Sequence, residues 1–503
     1  MIEKHQLRPL SWFLLFGMAL SIPCLAATVL NNCLTKWPLY PHSRMAYCVL
    51  TLLMALLFFI LRKMIHSSTF RLTTKVLVIA AAGFFCVQLI CASMLRHTPF
   101  TDTEQIVTAA VNLARTGKFE TSPRSYQYFS WYPFNLGTVY LYAFLFKVLG
   151  FIGITDHYMI IAVFAGLLFA AGLVCGAKAA DSISGGQAAL LFLVLCALTF
   201  PFYYCTAELY TDVLALPFPM IVLYLFRRAR ATVSKTRYIY HILFALFSLF
   251  GFIIRVTTLI VPVACLISAL FEKRFRLFFI CLVLTCLSLL VGGFAMESAN
   301  ERHLGKENLR VHRLPVWHYL AMGLPVHEDE GYGQYGDGGW LILSTSFDDP
   351  EARDARLKQE IWDRLYYIRY PSRMANMFSR KNVSTFGDGT FHLNQLIEAD
   401  EHEITNALKT VIYAGGSEFT FYFHLCTAIF YAQMILAGVT CVQAAASRFT
   451  EPAPVFISLV GAFIYLTFWE TNARYFFMFE FLLLLAASIR VPSRVPRRPR
   501  QRK

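Results

Sequence analysis

The feature that most constrains this chain is its succession of long apolar blocks separated by short polar stretches. A helix needs about 20 mostly apolar residues to cross the hydrocarbon core of a bilayer, which is ~30 Å thick. Hydrophobic residues make up 57% of the chain and charged residues only 15%, whereas charged residues are roughly 25% of a soluble domain. The sequence therefore predicts an all-α membrane protein. The blocks lie near residues 10–30, 45–62, 74–95, 136–150, 157–177, 187–203, 211–227, 237–254, 256–271, 275–295, 419–446, 453–468 and 475–490.

Basic residues cluster between these blocks, in Arg62–Lys75, Arg227–Arg237, Glu272–Arg276 and the terminal run Arg490–Lys503. An excess of Lys and Arg is typical of cytoplasmic loops, so we assign these stretches to the cytoplasm. The terminal run has no interleaved aromatic residues, and we expect it to contact anionic lipid headgroups. The net charge of +14 therefore indicates topology and does not indicate a nucleic-acid partner.

The same charge rule removes one block from the crossings. The third block ends at Arg96, which places the following segment outside. If 136–150 also crossed, Arg227–Arg237 and the C-terminal tail would lie outside, against the rule. The block is short and contains Lys147, so we assign it as an interfacial or re-entrant helix on the outer face. About twelve transmembrane helices then remain, with both termini cytoplasmic and with 10–30 as an uncleaved anchor rather than a signal peptide.

Two outer segments follow from this topology, 97–156 and 297–418. The second contains most of the soluble-looking sequence, and long loops of this kind are usually functional or disordered. Within it, residues 351–370 predict an amphipathic helix with Ile361, Leu365 and Ile368 on its apolar face, and the glycine-rich stretch 331–340 predicts an irregular loop. We divide the chain into an N-terminal two-helix hairpin, a transmembrane module with juxtamembrane helices in its first outer loop, a large outer loop, C-terminal helices and a basic tail: 1–73, 74–296, 297–418, 419–490 and 491–503.

The start of the first outer segment carries two acidic residues, Asp102 and Glu104, directly after a predicted span. Thr101-x-x-Glu104 has the pattern of a helix capping box, and Asp102 would then lie in the first turn, where the helix dipole favours an acid. The capping role explains Glu104. For Asp102, a capping role and a catalytic role are both open.

Aromatic and ionisable side chains are predicted to meet on the same outer face. Trp131 and its aromatic neighbours are typical of a headgroup belt, and they would also suit stacking on a sugar ring. Ionisable residues at membrane depth are costly and are functional candidates, although each alone could be a structural ion pair. Those predicted to face outward lie between spans or interrupt an apolar run: Glu208, Asp212, Arg255, Glu470 and Arg474, with Tyr210 among them.

The order of these features resembles the GT-C superfamily of polytopic glycosyltransferases, in the branch that includes protein O-mannosyltransferases and lipid A aminoarabinose transferases. The resemblance covers most of residues 74–300 and the last three spans, through short and degenerate motifs. Two features depart from the family pattern: the first two spans form an added hairpin, and WYPF has one proline where many relatives have two. The matching pieces are Asp102 with Glu104, the glycine of LARTGKF, YPFNLGTVYLYAFLFKVLG, ELYTDVLALPF, the arginine of RVTTL and ETNARYFF.

The resemblance implies a polyprenyl-phosphate sugar donor, an envelope glycan, lipid or protein acceptor, and contact with membrane lipids. Asp102, with Glu104 beside it, would act as base on the acceptor hydroxyl in an inverting transfer of a hexosyl or pentosyl group, because a phosphate leaving group needs little proton assistance. Arg255 and Arg474 would bind the donor phosphate. No cofactor is fixed, although the carboxylates would accept a divalent metal.

The remaining site residues are assigned to the sugar or the acceptor. Glu208, Tyr210 and Asp212 would position sugar hydroxyls or orient the arginines, with Trp131 and Glu470 nearby. The large outer loop would cover the site and recognise the acceptor through Trp317, His318, Asp337, Trp340 and Lys381.

Three other functions remain open on the sequence. A transporter or lipid flippase would also place charges in a helix bundle, but transporters often contain internal repeats, which we do not find here. A polymerase or ligase of envelope polysaccharide would share the lipid substrate and the outer loop. A non-enzymatic membrane protein is the third alternative. No nucleotide-phosphate cradle such as G-x-G-x-x-G after a strand is present, which disfavours a nucleotide-sugar donor.

Overall fold

The described part of the chain is helical, with short 3₁₀ turns and no β-strand. Seven helices of this part are long and apolar enough to cross a bilayer, and several shorter apolar helices accompany them. The all-α prediction is therefore confirmed. The computed structural model describes residues 12–34, 44–69, 72–119, 122–324, 333, 340–347, 349–398 and 404–492.

The N-terminal hairpin packs against the C-terminal part of the bundle. Near the end of α2, the buried Arg62 donates hydrogen bonds to Thr440 Oγ1 (2.7 Å) and to the carbonyl oxygen of Ile489 (3.1 Å). These bonds join residues 378 and 427 positions apart, so the hairpin is part of the bundle. Its helices and the next span are α1 (Trp12–Leu34), α2 (Arg44–Ser67) and α3 (Thr74–Met94).

Three shorter helices form the first outer segment: α4 (Thr101–Thr116), α5 (Pro123–Trp131) and α6 (Leu136–Gly150). At ~1.5 Å per residue, α6 is roughly 22 Å long and too short to span the hydrocarbon core. One side of α6 packs on α4, while Phe144 and Val148 on the other side are exposed. This arrangement is expected of a helix that lies at the membrane surface.

The capping box predicted at the start of α4 does not form. The N-cap residue is Phe100, which offers no side-chain hydrogen bond, and Thr101 already lies inside the first turn with φ of 48°. The Thr101 hydroxyl is therefore one position too late to cap the helix. Asp102 lies in the first turn, as predicted.

The central bundle contains a stretch of irregular backbone between two of its helices. Between α8 and α9 the chain forms two 3₁₀ turns, at Phe200–Tyr203 and Cys205–Ala207, and α10 restarts at Pro217 because proline suits a first helical turn. Irregular backbone at membrane depth is tolerated where protein groups satisfy it. The bundle helices are α7 (His157–Ser184), α8 (Gly186–Leu198), α9 (Thr211–Ala215), α10 (Pro217–Ala231), α11 (Arg237–Ile254), α12 (Ile260–Phe271) and α13 (Phe275–Leu304).

Side chains from neighbouring helices satisfy this irregular stretch. Gln88 donates to the carbonyl oxygen of Phe202 (2.7 Å), and the Tyr142 hydroxyl donates to that of Leu209 (2.7 Å). These bonds hold the loop that carries Glu208, Tyr210 and Asp212 inside the bundle.

The described residues of the second outer segment fold into seven short helices. The predicted amphipathic helix is confirmed as α17, with Ile361 and Ile368 packed inward, but Leu365 is 36% exposed. The helices are α14 (Lys306–His312), α15 (Val316–Gly323), α16 (Trp340–Thr345), α17 (Pro350–Tyr367), α18 (Pro371–Phe386), α19 (Leu393–Glu398) and α20 (Ala407–Ile412).

The buried side of α17 also carries a cation. Arg364 is almost fully buried and donates to the carbonyl oxygens of Ala321 and Leu324 at the end of α15. Cations favour helix C-termini, so this residue ties α17 to α15.

The last helices are α21 (Phe419–Ala446), α22 (Ala453–Phe468), α23 (Arg474–Phe477) and α24 (Glu480–Ser488). The short pair α23 and α24 corresponds to the last predicted span. Every one of the twelve predicted spans thus coincides with a helix or a helix pair in the described residues. The tail beyond Pro492 and the first eleven residues lie outside the described part.

A dense ionic cluster closes the end of the bundle opposite the two outer segments. Arg227 of α10 donates to the hydroxyl (2.5 Å) and carbonyl (2.7 Å) oxygens of Ser182. Arg230 lies 2.9 Å from Glu451 and 3.1 Å from Glu272. We call these five residues the opposite-end cluster. They join α7, α10, α12 and the loop before α22.

Candidate functional site

A cavity of about 1060 Å³ lies where the first outer segment meets irregular connections between helices. Its walls come from the starts of α4 and α9, from α5, α11, α13 and α15, and from the turn between α22 and α23. Of the residues predicted for the site, those that line it are Asp102, Trp131, Tyr210, Arg255, His318, Glu470 and Arg474. Segments from five separate parts of the sequence thus converge at one place.

Two arginines share one buried aspartate at the base of the cavity. Asp212 is fully buried, and its carboxylate lies 2.7 Å from Arg255 Nη1 and 3.8 Å from Arg474 Nε. Arg255 also donates to the Thr211 hydroxyl (3.0 Å), and its guanidinium stacks over the ring of Tyr475 (4.7 Å). Asp212 itself does not line the cavity. Among the described residues it is the one carboxylate within 4.0 Å of these two guanidinium groups, so their direct ion pairing neutralises one of the two positive charges. Asp102 and Glu470 also line the cavity, farther from the two arginines.

All three residues of this cluster lie at helix breaks. Asp212 is in the first turn of α9, Arg255 has an extended backbone between α11 and the turn Val256–Leu259, and Arg474 opens α23. A broken helix leaves backbone N–H groups and side chains directed at the interruption rather than along a lipid-facing surface. Three irregular connections between helices therefore meet and create one polar pocket beside the apolar bundle.

Asp102 is connected to the arginines through Tyr210. The Tyr210 hydroxyl donates to Asp102 Oδ2 (3.1 Å), and the Tyr210 ring lies 5.4 Å from the Arg474 guanidinium. Asn135 donates to the Tyr128 hydroxyl (2.6 Å) and lies 3.5 Å from the Tyr210 hydroxyl. The carboxylate of Asp102 is thus oriented by a polar network and remains accessible from the cavity.

Two further carboxylates lie near the cluster, in loops between spans. Burial raises the pKa of Glu470, which lines the cavity, and Arg474 opposes that rise. Burial also raises the pKa of Glu208 to about 8, and the charge of Asp212 adds to the rise. Glu208 is 2% exposed and lies behind the cavity wall. It therefore lies near Asp212 and Arg474 without lining the cavity.

One face of α5 forms an aromatic and polar wall. Arg124, Gln127, Tyr128 and Trp131 follow helical spacing and all line the cavity. Facing them, Trp469 stacks on Tyr319 with ring centroids 5.2 Å apart. Flat aromatic surfaces with nearby polar groups suit the faces of a sugar ring.

An apolar wall completes the cavity. Phe252 and Ile253 at the end of α11 line it together with Met296 of α13, and on the outer sides of these helices Phe250 and Phe294 are exposed. The cavity is therefore polar on one side and adjoins a lipid-facing surface on the other.

Besides the buried Glu208 and Asp212, two further described residues that were predicted for the site, Glu104 and Lys381, do not line the cavity. Glu104 is exposed and does not line it, because residues two positions apart on a helix point about 200° apart. Lys381 is 2% exposed and donates to the carbonyl oxygens of Gly323 (2.5 Å) and Trp469 (2.7 Å). It joins α18 to the cavity wall and is not free to recognise an acceptor. Asp337 lies outside the described residues.

The other residues predicted for the large outer loop are distributed differently. His318 lines the cavity, donates or accepts a hydrogen bond with Ser344 Oγ (2.7 Å), and has its pKa lowered to about 4 by burial. The ring of Trp317 packs in the core of the outer segment and contacts Lys358. Trp340 begins α16 and its side chain lies outside the described residues.

A family model described as a conserved hypothetical integral membrane protein matches residues 12–495. The chain belongs to this family. No curated protein and no solved structure matches the chain. The match extends over all the described helices, so this integral membrane protein is a single family unit that includes the N-terminal hairpin and the large outer segment.

Within this membrane protein, the described residues contain no group of three or more His, Cys, Asp or Glu side chains arranged to hold a metal ion. Asp212 is already paired with two arginines, and Asp102 accepts a hydrogen bond from Tyr210. The chemistry that the described cavity offers is that of carboxylates, guanidinium groups, an imidazole, amides, hydroxyls and aromatic rings.

Several cavity residues were not found from the sequence. Asn135, Asn472 and Tyr475 line the cavity, and Arg313 lines it while paired with Glu297 (2.7 Å). A lone asparagine or an arginine in a long polar segment carries no pattern of its own. Tyr475 follows Arg474 directly and could have been inferred from the stacking preference of arginine.

Proposed function

We propose that this protein is a membrane glycosyltransferase. It moves a sugar from a polyprenyl-phosphate donor to a cell-envelope acceptor at the outer face of the cell membrane, with inversion. The observation that carries the proposal is that Asp102 and the guanidinium groups of Arg255 and Arg474 line one cavity. Both termini would be cytoplasmic, in keeping with the basic stretches between spans.

The charge of the cluster matches a phosphate ligand. Two guanidinium groups share a single aspartate, and the remaining positive charge would be balanced by the donor phosphate. During transfer, negative charge grows on the departing phosphate oxygen, and a preorganised guanidinium stabilises that charge. Arg255 is held by Asp212 and Thr211, so it needs little reorganisation during the reaction.

Asp102 supports the other half of the reaction. An inverting transfer needs a base on the acceptor side of the anomeric carbon, and a phosphate leaving group needs no acid. The Asp102 carboxylate would take the proton of the acceptor hydroxyl as that oxygen bonds to the anomeric carbon and the sugar–phosphate bond breaks. Tyr210 fixes its orientation by donating to Oδ2, and the side chain still lines the cavity, where it would meet the acceptor.

The walls of the cavity suit a substrate with two chemical parts. The apolar wall from Phe252, Ile253 and Met296 would meet the first isoprene units, and the aromatic face of α5 would meet the sugar. A flippase would need the lipid to pass through the bundle, whereas the cluster lies at helix breaks near one end. Glu104 has no role in this proposal, because it does not line the cavity.

The test is Asp102→Asn in the purified full-length protein. A panel of short-chain polyprenyl-phosphate hexoses and pentoses is supplied with envelope extract, and released polyprenyl phosphate is measured by mass spectrometry. Loss of the base should lower release by about 10²–10⁴-fold. Glu104→Gln is the matched control, two residues away on the same helix turn, and should retain activity. Equal activity of Asp102→Asn and wild type would exclude Asp102 as the base.

A further inference from the structure

The turn Gly387–His392, between α18 and α19, adopts an unusual backbone. Phe391 and His392 have φ values of 57° and 54°, in the left-handed region that is unfavourable for residues other than glycine. Asp388, which is 2% exposed, holds this conformation. Its carboxylate accepts the N–H groups of Thr390 (2.7 Å) and His392 (3.0 Å) and the Thr390 hydroxyl (2.6 Å). Strained backbone that is this strongly fixed is often found at functional sites.

The turn is also fixed against a transmembrane helix. The N–H of Gly389 donates to Thr427 Oγ1 of α21 (3.1 Å), and a Cβ atom at Gly389 would lie 2.4 Å from the carbonyl oxygen of Cys426. Only glycine permits this approach. The turn therefore has a defined position relative to the bundle, although it belongs to the large outer segment.

From this fixed turn, His392 reaches the wall of the cavity. His392 Nδ1 lies 3.2 Å from Asn472 Oδ1, and the same oxygen accepts the backbone N–H of Arg474 (3.1 Å). Because that oxygen is an acceptor for Arg474, His392 Nδ1 must donate to it. His392 Nε2 lies 3.4 Å from Asp388 Oδ2 without a hydrogen bond, and the link from Asp388 to this residue is the backbone N–H of His392. A continuous chain of polar contacts thus runs from Asp388 through His392 and Asn472 to Arg474.

The start of α23 depends on this chain. The helix has only four residues, and the asparagine side chain that binds the N–H two positions ahead forms an Asx turn, which sets where the helix begins. The guanidinium of Arg474 is otherwise held by a 3.8 Å contact with Asp212 and by the rings of Tyr210 and Tyr475. Its direction is therefore determined largely by the backbone of residues 472–474.

We infer that Asp388, His392 and Asn472 are positioning residues that hold Arg474 in the orientation needed for the donor phosphate. This inference rests on the proposed function. It assigns a role to the large outer segment other than covering the acceptor: through the turn Gly387–His392, that segment fixes the phosphate end of the site.

The geometry distinguishes two conservative substitutions of His392. The amide nitrogen of asparagine can occupy the place of imidazole Nδ1, and asparagine tolerates positive φ well. The amide of glutamine reaches instead toward the place of Nε2 and Asp388. His392→Asn should therefore keep the bond to Asn472, and His392→Gln should lose it. His312→Gln, an exposed histidine in the same outer segment that does not line the cavity, is the control.

The experiment measures binding of decaprenyl phosphate, with decaprenol as the phosphate-free reference, to the full-length protein in detergent. Arg474→Met is measured first and should remove the phosphate-dependent part of the affinity. His392→Gln and Asn472→Ala should each weaken the phosphate-dependent part of the affinity about tenfold. The double variant should bind no more weakly than either single variant, because both changes interrupt the same chain of polar contacts. His392→Asn and His312→Gln should remain within about threefold of wild type.

Each outcome bears on a different statement. If Arg474→Met loses phosphate-dependent binding but His392→Gln and Asn472→Ala bind like wild type, the positioning role is wrong and the proposed function survives. If Arg474→Met also binds like wild type, the proposed donor site is wrong and the positioning role falls with it. A purely structural role for His392 would lower the melting temperature of His392→Asn and His392→Gln alike, with unchanged affinity. Should His392→Gln not fold, Asn472→Ala decides, since it leaves the turn itself intact.

Discussion

Ionic side chains gather at both ends of the helix bundle, and the two clusters are built differently. In the opposite-end cluster, Arg230 lies within 3.1 Å of two glutamates, and Arg227 donates to both oxygens of Ser182 and lies 3.4 Å from Glu451. Each cation there has several protein partners. No cavity residue belongs to this cluster.

At the cavity end, two arginines share one aspartate. Arg474 is held by a long contact of 3.8 Å and by aromatic rings, and both arginines line a cavity of about 1060 Å³. The comparison separates two uses of buried charge. Where cations are saturated by protein groups, they join helices; where positive charge is left over beside a cavity, it is available to an anionic ligand.

The largest effect is expected for Asp212→Asn, which removes the shared partner and leaves two buried guanidinium groups side by side. Breaking a buried ion pair costs about 3–5 kcal/mol. Glu451→Gln at the opposite end should cost less, because Glu451 is partly exposed and Arg230 keeps Glu272. Thermal unfolding in detergent measures both variants. Equal destabilisation would show that the two clusters do not differ in the way described.

The next effect is on activity rather than stability. Arg255→Met should lower donor turnover by about 10²–10³-fold, the usual loss when a preorganised donor to a developing anion is removed. Arg230→Met should keep wild-type turnover per folded molecule, as its charge is used within the protein. The measurement is release of polyprenyl phosphate, normalised to folded protein by size-exclusion chromatography. Loss of turnover in both variants would remove the functional distinction between the clusters.

Lys381 differs from the arginines of both clusters, because the hydrogen-bond acceptors of its buried ammonium group are both backbone carbonyl groups. Burial lowers its pKa to about 7, and Glu470 opposes this in part. The unfolded value is near ~10.4, so the unfolded chain binds more protons between these values and stability should rise with pH from about 7 to ~10. Because a neutral amine still has two N–H donors, Lys381 keeps its hydrogen bonds to both carbonyl groups after it loses its proton.

Melting temperatures of wild type and Lys381→Met across this pH range measure the effect. The rise seen in wild type should be absent in the variant, whose side chain does not titrate. A parallel rise in both proteins would assign it to other groups and would mean that Lys381 stays charged.

The smallest effect is expected for Tyr210→Phe, which removes the hydroxyl that donates to Asp102. Loss of one such bond should lower kcat about threefold to tenfold. Tyr240→Phe is the matched change at the opposite end, where that hydroxyl accepts from Arg228 (3.1 Å), and kcat should not change. Steady-state kinetics with the best donor of the panel would measure both variants. An equal kcat for Tyr210→Phe and wild type would show that the hydrogen bond from Tyr210 does not affect Asp102 as the base.

The sequence by itself determined the helical membrane architecture. Span length and the position of basic residues are local properties that lipid and water impose on each segment separately. For that reason the sequence located the spans, and also the short helix α6, at nearly their observed limits. Local chemistry also identified Asp102, Arg255 and Arg474, because charge beside an apolar run is conspicuous wherever it occurs.

Only the tertiary structure decided which of these residues meet and what each one contacts. Helical rotation turned Glu104 away from Asp102, and backbone carbonyls rather than an acceptor took the ammonium group of Lys381. Asn472 gained its importance from a histidine 80 positions earlier in the chain. Such pairings depend on distances between segments that the sequence does not specify, since hydropathy places a helix in the membrane without fixing its neighbours or its rotation.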